Sequence, residues 1–199
     1  MLEASTYEAI RPFLKTGDMV LFGGRGAISR GIKRFTRSKW SHIGMVLFVE
    51  EWDMVCLWES TTLSTIPDLL TGTRRAGVQL VPLSQRMEEY DGEIAFRLVG
   101  RPPRDQELDG FLAFRKMVSR RGYEKSYIEL LGVAFGWNKR ENLSTVFCSE
   151  LVAESYQSLG WLSDARPSNA YSPEALGRLA DLQNDQTIGE ILPIQWRAA

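Results

Sequence analysis

The chain has 199 residues, of which 44% are hydrophobic and 25% charged, and its formal net charge is −1. That length suits a single domain over residues 1–199 with a core of its own, and the balanced charge excludes the electrostatic pull expected of a nucleic-acid-binding surface. Two cysteines, Cys56 and Cys148, are too few for a disulfide framework, so both are expected to be reduced. The start, Met1-Leu2-Glu3-Ala4, lacks the basic, unbroken apolar pattern of a secretory signal, and no run reaches the ~18 apolar residues of a membrane span. The expectation is a cytoplasmic protein.

In chain order, Ser5 with Glu8 forms a capping-box pattern ahead of Tyr7, Ile10, Phe13 and Leu14, and Gly17 ends this first helix. Asp18 to Phe22 reads as a strand that Gly23-Gly24 breaks. From Arg25 to Lys39 there are six Lys or Arg and no acid, with Ile28, Ile32 and Phe35 at helical spacing. This basic amphipathic helix has two readings. It is a solvated face on a core-packed helix, or Arg30, Lys33, Arg34 and Arg37 attract an anionic substrate or an acidic lipid surface.

Ile43–Val49 and Met54–Glu59 are strand-like runs joined by Glu50-Glu51-Trp52-Asp53, a hairpin pattern. Pairing Val49 with Met54 makes the numbers of every pair add to 103 and sets Gly44 opposite Glu59. Side chains alternate along strands, so His42, Gly44, Glu59 and Thr61 share one face, with Glu59 a diagonal neighbour of His42 at about 7 Å. Gly44 leaves room between them. Residues 60–77 read as a loop that forms a wall or lid of a cleft, with Thr61 a candidate substrate contact. Val78–Leu83 and Ile94–Val99 are strands around a short polar helix at Gln85–Tyr90. Arg101-Pro102-Pro103 separates a strand-rich half from a helix-rich one. Asp105–Arg121 and the nearly all-apolar Tyr127–Trp137 are helices, Ser172-Pro173-Glu174 starts another, and Ile188–Trp196 is a last strand.

Cys148 is followed by Leu151, Val152, Tyr156 and Leu159 at helical spacing, with Gly160 as a stop. With Ser144 or Thr145 as cap, Cys148 falls in the first turn. There the helix dipole favours a thiolate, and the Cys148 N–H is available to a developing oxyanion. His42 is the only histidine and stands at the mouth of a buried strand. Cys148 as nucleophile, His42 as its base and Glu59 as the carboxylate orienting the ring form a thiol-nucleophile set. A lone cysteine or strand-edge histidine is more often structural, and Cys56, among Val55, Leu57 and Trp58, reads as core. One histidine and two distant cysteines do not match zinc-ligand spacing, so neither a metal nor a cofactor is expected.

The phrases Gly17-Asp18-Met19-Val20-Leu21-Phe22, Phe35-Thr36-Arg37-Ser38-Lys39-Trp40-Ser41-His42-Ile43-Gly44-Met45-Val46, Trp58-Glu59-Ser60-Thr61 and Phe147-Cys148-Ser149-Glu150-Leu151-Val152 carry a family likeness. Together they resemble the circularly permuted papain-like hydrolases, which are relatives of NlpC-type cell-wall peptidases and of lecithin retinol acyltransferase and include the YiiX/YaeF-like group. In the permuted branch the histidine precedes the cysteine, as His42 precedes Cys148 here.

The resemblance implies an α+β papain-like fold, a central antiparallel sheet packed on the nucleophile helix. It also implies Cys148, His42 and Glu59 as a catalytic triad working through an acyl-enzyme on a peptide or related amide. A lipid esterase or acyltransferase is the second reading, and a non-catalytic peptide- or membrane-binding module the third. The expected partners are a small peptide or acyl-lipid substrate and, through the basic helix, an anionic membrane surface, with no nucleic acid.

Overall fold

The computed structural model describes residues 5–24, 39–63, 65–120 and 140–196. Most of the basic helix expected at Arg25–Lys39, including Arg30, Lys33, Arg34 and Arg37, and the apolar helix expected at Tyr127–Trp137 lie outside the described residues.

Strands β1 (Ser5–Thr6), β2 (Met19–Gly24), β3 (His42–Val49), β4 (Met54–Thr61), β5 (Gly77–Pro82), β6 (Gly92–Arg97) and β7 (Leu192–Gln195) form one sheet. Their order is β1-β7-β6-β2-β3-β4-β5. Every neighbouring pair is antiparallel except the two-residue β1 against β7. The helices are α1 (Tyr7–Ile10), α2 (Leu83–Glu89), α3 (Asp105–Arg120), α4 (Arg140–Ser158) and α5 (Pro173–Gly177). The architecture is α+β.

Alternation along the strands divides the core in two. Met19, Leu21, Ile43, Met45, Cys56 and Trp58 face α3, α4 and α5, packing with Phe111, Val152, Tyr156 and Leu176. Val20, Phe22, Val46, Val55 and Leu57 face the other way, against Tyr7 and Ile10 of α1 and Leu83 and Met87 of α2. With apolar residues on both sides, β2 is buried along its whole length.

The hairpin has the expected register from Val49↔Met54 to Met45↔Trp58, but the expected pair Gly44↔Glu59 does not form; Gly44 pairs with Val20 and Glu59 with Gln79. Its turn is a 3₁₀ segment, Glu50–Trp52, closed by Asp53 in the left-handed region at φ 43°. Beyond Met45, β3 continues with β2 as far as Phe22↔His42, and β4 continues with β5 as far as Thr61↔Gly77. Gly44 is required by close approach. A Cβ there would lie 2.6 Å from Leu57 Cδ1 and 3.1 Å from the Trp58 carbonyl oxygen.

Four expectations are corrected. The first helix is capped by Thr6, whose hydroxyl accepts from the Ala9 N–H at 3.3 Å, and it gives way to a 3₁₀ turn at Arg11. Ser5 is instead drawn into pairing with Ile194. Gly23 and Gly24 do not break β2, because Glu93 and Gly92 of β6 pair with them. The strand expected over Ile188–Trp196 shrinks to β7, with Ile188 making an isolated bridge to Val99.

The largest change is at Cys148. Within the described residues helix α4 reaches back to Arg140, more than two turns before the cysteine, with no Gly or Pro between Arg140 and Ser158 to interrupt it. Ser144 and Thr145 are inside the helix, so neither is its cap. The C-terminal end is as expected, with Gly160 at φ 70° and the Trp161 N–H returning to the Tyr156 carbonyl at 2.8 Å.

Candidate active site

His42 opens β3 and is the only histidine of the chain. Its ring lies 5.4 Å from that of Phe22, its β2 partner, which in turn packs edge-on to Tyr90 at 4.8 Å. These aromatic neighbours leave the side chain only 15% exposed. Imidazole Nε2 is 2.7 Å from Glu59 Oε2, so the carboxylate sets the ring orientation. The same ring is hydrogen-bonded to the thiol of Cys148.

Cys148 belongs to the core between the sheet and α4, and its residue exposure is 0%. His42 and Glu59 stand past the last β3–β4 pair, Met45↔Trp58, where the two strands no longer share a ladder. There α4, which packs on both strands, brings the sulfur to the imidazole. Three residues named from the sequence therefore converge, though they come from three elements.

Glu59 is fully buried and fully engaged. Beside the His42 bond, its Oε1 accepts from Arg86 Nε at 2.8 Å and from Gln79 Nε2 at 3.0 Å. Burial alone would raise this carboxyl. The hydrogen bond and charge of His42, then the charge of Arg86 and the bond from Gln79, hold it below its usual range instead. His42 shows the opposite balance. Burial would lower it, but the thiol of Cys148 and then Glu59 push it up to about 9. A ring biased toward its protonated form, held between a carboxylate and a thiol, is placed to carry a proton.

Sequence reasoning missed Arg86 and Gln79. Gln79 sits in an otherwise apolar strand, one position from Val78 and Leu80, and pairs directly with Glu59. A polar residue on the face occupied by Val81 was the available signal. Arg86 follows Leu83 by three residues and precedes Met87, so it shares the buried side of α2. Its 1% exposure is explicable only through Glu59, which no local pattern reveals.

One expectation does not hold. Cys148 is not in a first helical turn, so the dipole, which fades beyond that turn, does not act on it. Its backbone N–H lies inside the helix, where such groups donate to the carbonyl four residues back, and it does not offer an oxyanion donor. Thr61, the candidate substrate contact, is 8% exposed, and its hydroxyl accepts from the Leu63 N–H at 3.1 Å. The loop that follows is pinned by buried Asp68, whose carboxylate accepts from the Leu80 N–H at 3.0 Å and the Thr71 hydroxyl at 2.9 Å. Neither cysteine forms a disulfide, and burial pushes the Cys56 thiol up to about 11, as befits a core residue.

Among the described residues no group of three or more His, Cys, Asp or Glu is arranged to hold a metal ion, and no helix is long and apolar enough to cross a membrane. No protein-family model matches the sequence, and no curated protein does. Among solved structures, the chain is similar to the metalloprotein YiiX from Escherichia coli O157:H7 at 20% identity and a TM-score of 0.47. That similarity covers 73% of this chain and 66% of the other, so the chain spans just under two thirds of its length.

Proposed function

We propose that this protein is a thiol-dependent hydrolase of the circularly permuted papain-like type. It would act on a peptide or related amide through Cys148, His42 and Glu59. The observation that carries the reading is a single imidazole bonded to a carboxylate on Nε2, at 2.7 Å, and also to the thiol of Cys148. A nucleophile, its proton carrier and the group that orients the carrier are the three parts such chemistry needs.

In the forward step the Cys148 sulfur attacks the carbonyl carbon, forming a C–S bond and a tetrahedral oxyanion. As that collapses, the C–N bond breaks and the His42 imidazolium gives its proton to the departing amine, leaving a thioester. The neutral ring then takes a proton from water as the oxygen attacks, the C–S bond breaks, and acid and thiolate are restored. Glu59 keeps its charge throughout and stabilises the imidazolium each time it forms.

The 0% exposure of Cys148 favours a second reading, in which the cleft binds a peptide or membrane surface without reacting. One experiment separates the two. Incubation with peptide-amide and acyl-ester libraries, followed by intact-mass measurement, should trap an acyl adduct on Cys148, and Cys148→Ala should abolish both adduct and turnover. Turnover that persists in Cys148→Ala overturns the proposal. Binding of a library member with no adduct and no turnover establishes the non-catalytic reading, and turnover confined to acyl esters assigns the lipid-esterase or acyltransferase branch.

A further inference from the structure

Among the buried groups around His42, one charge has no part in the thiol–imidazole–carboxylate set. Arg86 is 1% exposed and donates from Nε to Glu59 Oε1 at 2.8 Å. Its Nη1 reaches Thr65 Oγ1 at 3.5 Å and lies 3.7 Å from Glu89 Oε2, while Nη2 is buried with no hydrogen-bond partner among the described residues. An arginine is rarely buried at such cost for packing alone.

We infer that Arg86 is a positioning residue, the counter-charge that lets Cys148 and His42 exist as a thiolate–imidazolium pair. The inference rests on the reading of Cys148 and His42 given above. Counting charge in the buried set makes the case. With Arg86 cationic, Glu59 anionic, His42 protonated and Cys148 ionised, the four sum to zero. Remove Arg86 and the same state carries a net negative charge out of water, which is costly, so the set keeps one more proton, and the thiol is where it resides.

Among the described residues no neighbouring group supplies a substitute. From β4 the ring faces Glu59, from α4 Cys148, and from β2 only the uncharged ring of Phe22. From β5 the set receives the neutral amide of Gln79, and from α2, besides Arg86, only the 42%-exposed acid Glu89 and the phenol of Tyr90, which lies against the Ser41 hydroxyl at 3.4 Å. Arg86 also fixes geometry. By occupying Glu59 Oε1 together with Gln79, it leaves Oε2 as the oxygen aimed at His42.

The test is the pH profile of Cys148 alkylation by iodoacetamide, read by peptide mass, with Cys56 as the internal reference thiol. A unit charge acting across a carboxylate at an effective dielectric constant of about 20 moves a titration by roughly one pH unit, or about tenfold in rate on the rising limb. Arg86→Met and Arg86→Gln should each shift the Cys148 midpoint upward by about one unit, and Arg86→Lys should restore it. A purely structural role would lower stability without moving the midpoint, and a folded neutral variant whose profile overlays the wild type overturns the inference. If the wild-type Cys148 profile is that of an ordinary thiol, the thiol–imidazole reading itself fails. The two failures are therefore distinct.

Discussion

Replacing Glu59 with glutamine should destabilise the folded protein by about 3–5 kcal/mol, the range for removing one partner of a buried ion pair. The carboxylate is 0% exposed and engages three donors, at 2.7 Å from His42, 2.8 Å from Arg86 and 3.0 Å from Gln79. An amide in its place has only one oxygen. Its NH2 would face either the imidazole or the Arg86–Gln79 pair, and Arg86, 1% exposed, would lose its only buried counter-ion among the described residues. The assay is urea unfolding at pH 7 by tryptophan fluorescence, with Glu59→Gln, Arg86→Met and the double variant in one cycle. Because the double variant removes both charges, it should be more stable than the sum of the single losses predicts, by roughly 2 kcal/mol or more. A loss below about 1 kcal/mol for Glu59→Gln, or strict additivity, would refute the buried charge network as drawn.

Two further outcomes follow from the same geometry. Since His42 is the only histidine, its ring protons should give one assignable NMR titration, with a midpoint near 9 in the folded state, set against about 6.5 when unfolded. A raised folded value means that the imidazolium contributes to stability below pH 6.5. That contribution, on the order of 3 kcal/mol, should disappear as the pH rises toward 9. Urea midpoints measured from pH 6 to pH 9.5 in wild type and His42→Ala check the sign, and a wild-type NMR midpoint near 6.5 would contradict it. Gly44→Ala would set a methyl 2.6 Å from Leu57 Cδ1 and 3.1 Å from a backbone oxygen, so a stability loss of about 1–3 kcal/mol is expected in thermal unfolding.

The hairpin was legible in the sequence because its register is a local matter. Two apolar runs and a four-residue connection set the pairing from Val49↔Met54 to Met45↔Trp58, but the ladder stops there, and His42 meets Glu59 through a side-chain contact beyond it. The cap at Ser172 was legible for the same reason, its hydroxyl accepting from the Ala175 N–H at 3.1 Å with Pro173 in the first turn. The start of α4 was not. Ser144 and Thr145 are good caps and adequate helix residues alike, and a cap forms only where the preceding chain leaves the helix, which here continues back to Arg140.

What only the tertiary structure decided is which distant segments meet. β7, from the last residues of the chain, enters the sheet between β1 and β6, closing the strand-rich half with the helix-rich one. By themselves Arg86 and Gln79 are a charged residue in a short helix and an amide in a strand. They become buried partners of Glu59 because α2 folds back onto β4 and β5 pairs with it. Periodicity in a sequence records which side of an element avoids water. It carries no record of which charge on another element will be buried opposite, since that pairing has its energy only after both have left solvent.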